Sequence, residues 1–121
     1  MNAEYNLGVL YEERGEYELA QKHYLQAIDE CRSIEAMRNL ANLYEEEENW
    51  ELAEKYYLQA IACGNIEAMV NLANLYDIKE EYDLAEKYYL QAIENGDVEA
   101  IYSLANWYKQ QKKKQFSRRI L

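Results

Sequence analysis

Few side chains in this 121-residue chain could do chemistry: one histidine, two cysteines and a run of four glutamates. His23 has no second histidine and no nucleophile beside it, so no catalytic triad assembles around it. Tyr56 and Tyr88 stand at its place in similar stretches further along, which marks it as a packing variant. Cys31 and Cys63 fall near the ends of equivalent segments. Stacked helices lie about 8–10 Å apart, beyond the roughly 7 Å Cα separation that a disulfide bridges without strain. Two free thiols in a reducing compartment are expected, and a zinc site lacks ligands. Glu45–Glu48 has neither the spaced ligands nor the central glycine of a calcium loop, and reads as a solvated helix end. Four glycines form no phosphate-binding loop. The expectation is a chain with no catalytic residue, no metal and no cofactor.

Asparagine is the polar residue that recurs with a pattern. Asn42, Asn74 and Asn106 hold one position in successive copies of a repeat, and Asn39 and Asn71 lie one helical turn earlier. Asparagine forms helices only moderately well. Its amide both donates and accepts, so it can pair with the main chain of an extended peptide whatever the side chains are. The alternatives are that duplication copied these residues, or that they bond between neighbouring helices.

Half of the chain is hydrophobic, 30% is charged, and proline is absent. Proline is the costliest residue inside a helix, so its absence favours helix nearly throughout. No apolar run approaches the roughly 20 residues that span a bilayer, and the first residues show no secretory signal. The net charge of −10 divides unevenly. Residues 1–108 hold 23 acids and 7 bases, whereas residues 109–121 hold 6 bases and no acid. The acidic body disfavours nucleic acid, although six bases attract phosphate.

The elements that position these residues are repeats. Asn39–Val70 and Asn71–Tyr102 align without a gap, with 20 identities in 32 residues, sharing NLANLY, LAEKYYLQAI and G-x-x-EA. Residues 6–38 form a looser copy, and Ser103–Tyr108 opens a fourth. Apolar residues recur at helical spacing through Met37, Leu40, Leu43 and Tyr44, then through Trp50, Ala53, Tyr57, Ala60 and Ile61. Polar turns between the stripes suit antiparallel pairs. Gly64 and Gly96 suit the left-handed position after a helix, and Ser33, Asn65 and Asp97 are N-caps. Seven helices are expected, near 3–14, 17–30, 34–46, 50–62, 66–78, 82–94 and 98–115. Small residues at Gly8, Ala20 and Ala27 and their copies allow close approach, with Tyr11, Tyr17 and Tyr24 and their copies filling the space. Glu4, where other copies carry Met37, Met69 and Ile101, reads as solvation of the N-terminal end.

These residues resemble the tetratricopeptide (TPR) repeat. Copy one reads Leu7-Gly8, Tyr11, Gly15-x-Tyr17, Ala20, Tyr24 and Ala27. Copies two and three keep Leu40-Ala41, Tyr44, Trp50, Ala53, Tyr57, Ala60 and Leu72-Ala73, Tyr76, Tyr82, Ala85, Tyr89, Ala92. The 32-residue period and the GNIEAM and GDVEAI junctions are similar to Sel1-like relatives, and depart from the usual 34 residues with a closing proline. The resemblance implies an all-α fold, an α-solenoid (a right-handed superhelix) of three TPR-like helix pairs plus a C-terminal capping helix. It implies a single repeat domain over 1–115, with repeats about 1–32, 33–64 and 65–96, a capping helix 97–115 and a basic tail 116–121.

The resemblance further implies a non-catalytic, cytoplasmic protein-interaction module whose concave groove is lined by the first helix of each pair. The peptide-binding positions it implies are Tyr5, Arg38, Asn39, Asn42, Asn71, Asn74, Tyr102 and Asn106, with an acidic rim of Glu12, Glu45, Glu46, Glu67, Asp77 and Glu99. TPR domains that clamp acidic chaperone tails place a base, two asparagines and two further bases across three repeats. Arg38, Asn42 and Asn71 match the first three positions; Glu99 and Ser103 stand at the other two. The expected partner is therefore a neutral-to-basic extended peptide, with neither nucleic acid nor membrane. Two readings of the tail Lys112–Arg119 stay open. It is a polar cap, or it docks into an acidic groove of another copy with Phe116, Ile120 and Leu121 as anchors. Alongside the adaptor stands the alternative of a structural repeat unit that self-associates end to end or through this tail.

Overall fold

The computed structural model describes residues 3–120, and side chains as far as residue 115. Seven α-helices follow one another: α1 (Ala3–Glu13), α2 (Tyr17–Cys31), α3 (Ile34–Glu46), α4 (Trp50–Ala62), α5 (Ile66–Ile78), α6 (Tyr82–Glu94) and α7 (Glu99–Ile120). Three pairs, α1–α2, α3–α4 and α5–α6, precede α7, which opens like the first helix of a fourth pair. The helix starts are those the caps predict: Ala36 N donates to Ser33 Oγ at 3.2 Å, Ala68 N to Asn65 Oδ1 at 2.7 Å and Ala100 N to Asp97 Oδ1 at 3.2 Å. Gly64 and Gly96 end α4 and α6 with φ of 90° and 98°. One end differs. α7 runs to Ile120 rather than stopping near 115, because Gln115–Arg119 contains neither glycine nor proline to break it.

The chain forms two compact units, Met1–Ala68 and Met69–Leu121. In the first, α1 packs on α2, α3 on α4, and α2 on α3. Its centre is made of fully buried Tyr24 and Tyr57 set among Ala20, Ala27, Ala53 and Ala60, with Leu40 and Leu43 from α3. The alanines let the helices approach, and each tyrosine ring fills the volume that they leave. In the second unit Leu72, Leu75, Tyr76 and Tyr89 form the centre, and α7 adds Leu104 and Trp107 against α6. Tyr17 departs from its expected filling role, being 48% exposed at the first turn of α2.

Glu4 and His23 correct a second expectation. Glu4 does not simply solvate an end: its Oε2 lies 2.6 Å from His23 Nδ1, both side chains being partly buried. Copies two and three hold Met37 with Tyr56 and Met69 with Tyr88 at the same two places. Copy one has exchanged an apolar pair for a polar one in both members together, which keeps each polar group partnered. The His23 ring still stacks on Tyr11 at 5.3 Å, as Tyr56 stacks on Tyr44 and Tyr88 on Tyr76.

The turn inside each pair places one residue in the left-handed region: Gly15 (φ 77°), Glu48 (φ 61°) and Glu80 (φ 62°). A left-handed conformation costs a residue with a Cβ about 1–2 kcal/mol, partly offset by the larger unfolded-state entropy of glycine. Nothing lies within 4 Å of a Cβ added at Gly15, so the difference there is one of backbone alone. Glu48→Gly and Glu80→Gly should each raise stability by up to about 1 kcal/mol, and Gly15→Ala should lower it by a similar amount. Urea midpoints at neutral pH test this, and a loss of stability in both glutamate variants would refute it.

Candidate functional site

The first helices of the pairs carry the candidate residues, and a tyrosine from each second helix organises them. Tyr57 of α4 lies fully buried against α3. Its hydroxyl reaches Asn42 Oδ1 and, at 2.8 Å, Glu45 Oε1. A phenol has one proton, so Asn42 and Glu45 share one donor. In copy one Tyr24 donates to Glu12 Oε1 at 2.6 Å. There Val9 replaces the asparagine, and Asn39 of the next copy supplies the amide, its Nδ2 donating to Tyr24 Oη at 3.4 Å and Tyr5 Oη at 3.3 Å. Arg38 Nε sits 3.2 Å from Glu67 Oε2, so the base at the first clamp position is paired.

In the second unit Tyr89 of α6 donates to Asn74 Oδ1. Asp77 holds the place of Glu12 and Glu45 but is met by α7 instead. Trp107 Nε1 donates to its Oδ1 at 2.8 Å and Gln111 Nε2 at 3.4 Å. Asn71 is half-buried; Asn106, Glu99 and Tyr102 are exposed on α7, as Glu46 is at the end of α3. In one unit the structure thus joins Tyr5, Asn39 and Glu12 through Tyr24, Asn42 and Glu45 through Tyr57, and Arg38 to Glu67; in the other it joins Asn74 to Tyr89 and Asp77 to Trp107, with Asn71 on α5 and Asn106 and Tyr102 on α7.

The sequence pattern marks Tyr24, Tyr57 and Tyr89 only as space-filling core residues. The signal for their second role lay in spacing: an asparagine fifteen residues before Tyr57 and Tyr89, and an acid twelve before all three.

Burial raises the Tyr24 and Tyr57 phenols well above the ordinary tyrosine value, and the hydrogen bond to Glu12 and the charge of Glu45 add to it. Burial lifts Tyr89 to about 12, with the charge of Asp77 assisting. Burial also pushes the Glu45 carboxyl upward, opposed in part by the Tyr57 hydrogen bond. Cys31 and Cys63 are exposed free thiols. Among the described residues no group of three or more His, Cys, Asp or Glu side chains is placed to hold a metal ion, and no helix is long and apolar enough to cross a membrane.

The class that this architecture defines is a helix-pair repeat array with polar residues displayed on its first helices. A tetratricopeptide repeat model matches residues 1–65 and another matches residues 66–95, and the chain belongs to the tetratricopeptide repeat family. That family is non-catalytic, and the chain is a protein-interaction module. No curated protein sequence matches it significantly. Among solved structures it is similar to the N-terminal domain of stress-induced protein-1 (STI-1) from C. elegans, at 22% identity and a TM-score of 0.76, covering 86% of this chain and 91% of that one. It is also similar to the TPR2AB domain of yeast Sti1 in a pHSP90 complex, at 19% identity and a TM-score of 0.81 over 93% of this chain and 47% of that one. A third is the first TPR of Spaghetti (RPAP3) bound to HSP90 peptide SRMEEVD, at 19% identity and a TM-score of 0.77, with 90% of each chain covered. These likenesses show the fold.

Two outcomes follow. Asn42→Ala leaves Tyr57 with Glu45, whereas Asn74→Ala takes from Tyr89 the acceptor of its hydroxyl. The second should therefore destabilise more, by about 1 kcal/mol over the first, in paired thermal or urea melts. Equal effects would mean that the hydroxyls have water in place of these amides. The buried phenols keep their protons where unfolded ones, near pH 10, lose them. The unfolded state therefore binds fewer protons there, and stability falls as pH rises through 10 toward the folded values. Helix loss and tyrosinate absorbance should rise together in an alkaline titration, and tyrosinate appearing well before helix loss would contradict it.

Proposed function

We propose that the module binds an extended, neutral-to-basic peptide segment, using the outward halves of Asn39 and Asn42 with Tyr5 in one unit, and of Asn71, Asn74 and Asn106 with Tyr102 in the other. The single observation that carries the reading is the way the tyrosine hydroxyls hold the amides. Tyr57 and Tyr89 each engage one atom of an asparagine amide, Oδ1 of Asn42 and of Asn74, which fixes the side-chain rotamer and leaves its Nδ2 group to meet a main-chain carbonyl. Pre-positioned donors lower the ordering cost of binding.

Charge supports the choice of partner. Glu12, Glu45, Glu46 and Glu67 supply negative charge on the first helices of one unit, and Asp77 and Glu99 on those of the other. Arg38, the base that matches a carboxylate clamp, is paired with Glu67. Glu99 and Ser103 occupy the positions where such a clamp needs two more bases. The peptide in the RPAP3 complex is SRMEEVD, whose closing residues are acidic, and a groove with this charge disfavours it. The G-x-x-E-A junctions at Gly64–Ala68 and Gly96–Ala100 support a Sel1-like variant of the repeat, and the exposed free thiols Cys31 and Cys63 fit a reducing, cytoplasmic setting.

A peptide array of graded net charge tests the reading, with SRMEEVD included as the acidic reference. Neutral and basic peptides should be retained and SRMEEVD should not, with retention of the basic ones falling as salt rises. Asn42→Ala should weaken retention about tenfold or more at little cost in melting temperature. Tight capture of SRMEEVD, or an Asn42→Ala protein that binds as well as the parent, would overturn it.

A further inference from the structure

α7 begins as the first helix of a fourth pair, and three earlier copies show what such a helix needs on its open side. Along α3 and α5 the stripe Met37, Ala41, Tyr44 and its equivalent Met69, Ala73, Tyr76 lie against the second helix of the pair. Met37 and Met69 are 4% and 3% exposed, and Ala41 and Ala73 fully buried. Rings from the covering helix do this. Tyr56 stacks on Tyr44 at 5.9 Å and Tyr88 on Tyr76 at 5.7 Å. At Gly8, the copy-one equivalent of Ala41, an added Cβ would meet the Tyr24 ring at 2.6 Å.

The same stripe on α7 is Ile101, Ala105 and Tyr108, and it lies open. Ile101 is 50% and Tyr108 40% exposed, and Ala105 is exposed as well. Where the earlier copies turn at Glu45–Asn49 and its equivalents, α7 continues straight, so the residues that directly follow the stripe do not fold back over it. Its flank has also changed sign. The position of Glu12, Glu45 and Asp77 is taken by Lys109, which is exposed. In copies one and two that acid accepts a hydrogen bond from the covering helix's tyrosine hydroxyl. An ammonium has only donors, so the helix that covers α7 must offer an acceptor there.

We infer that the Ile101–Ala105–Tyr108 face of α7 is a second interaction surface, which takes an amphipathic helix of a partner protein. The partner helix carries a small residue, an aromatic, an acid and a small residue at i, i+3, i+4 and i+7. The template is the buried face of α4, Ala53, Tyr56, Tyr57 and Ala60, with an acid at the place of Tyr57. The aromatic stacks on Tyr108, the acid pairs with Lys109, and the small residues allow the close approach that Ala105 permits. This surface meets the asparagine positions only at Asn106, the counterpart of the Asn42 that Tyr57 reaches, and it does not rest on the proposed peptide site.

The probes are two labelled peptides with the sequence of residues 49–62 of this chain, one unaltered and one carrying Tyr57→Glu. They are titrated by fluorescence anisotropy against the full-length protein. The acidic peptide should bind about tenfold tighter than the unaltered one. Lys109→Glu should reverse that order, and Ala105→Arg should remove binding of both. The two substituted side chains are exposed, so circular dichroism should be unchanged. Absence of binding by either peptide overturns the inference, as does binding that Ala105→Arg leaves intact or an order that Lys109→Glu does not alter. Sedimentation that finds the chain alone dimeric, and monomeric with Ala105→Arg, would make a second copy the occupant and overturn it equally.

Discussion

A phenol is apolar around its ring and polar at one atom, and a helix pair built on tyrosine must satisfy both ends at once. Tyr24, Tyr57 and Tyr89 sit where small residues leave room for a ring, and burial there supplies much of each pair's packing. The same burial carries the hydroxyl to the edge of the partnering helix, where leaving it unpaired would cost roughly 1–3 kcal/mol. Asparagines and acids of the first helices meet the demand: Glu12 and the next copy's Asn39 for Tyr24, Asn42 and Glu45 for Tyr57, and Asn74 for Tyr89. The residues proposed to meet a ligand are thus among those that complete the core, which ties the proposed chemistry of the surface to the architecture beneath it.

That coupling explains which parts of the structure were legible in the sequence. Seven helices, their caps and the small-and-large alternation follow from local periodicity, and the 20 identities in 32 residues between copies two and three made each element visible twice. The end of α7 was not legible, because lysine, glutamine and arginine continue a helix as readily as they decorate a tail. Nor was the Glu4–His23 pair. Each looked like a separate deviation from its copies, and only three-dimensional adjacency shows one compensated exchange. The asparagines were visible as a pattern, but the choice between a ligand and a neighbouring helix as their partner needed the Tyr57 and Tyr89 hydroxyls. Each amide engages its tyrosine through one atom, so the neighbouring helix takes one half of the side chain and the other half is the one proposed for a peptide.

The acids divide in a similar way. Glu12 and Glu45 accept from tyrosine and Asp77 accepts from Trp107 and Gln111, so these carboxylates are oriented rather than freely solvated. An oriented, partly buried carboxylate is screened less by salt than one on a mobile surface side chain. Negative potential at this face therefore belongs to the fold as much as to the composition, and the repeat copies it along with the core.

The long α7 gives the second unit an electrical character of its own. Residues 69–121 hold eight acids and eight bases, so that unit is neutral and the whole net charge of −10 resides in residues 1–68. Six of its eight bases lie beyond Tyr108, on a helix of 22 residues, roughly 33 Å long. A neutral body with its charges separated over such a length is a dipole. A charged surface nearby exerts little net pull on these residues, but acts on their separated charges as a torque. Orientation, rather than attraction, is what this half of the molecule contributes to an encounter.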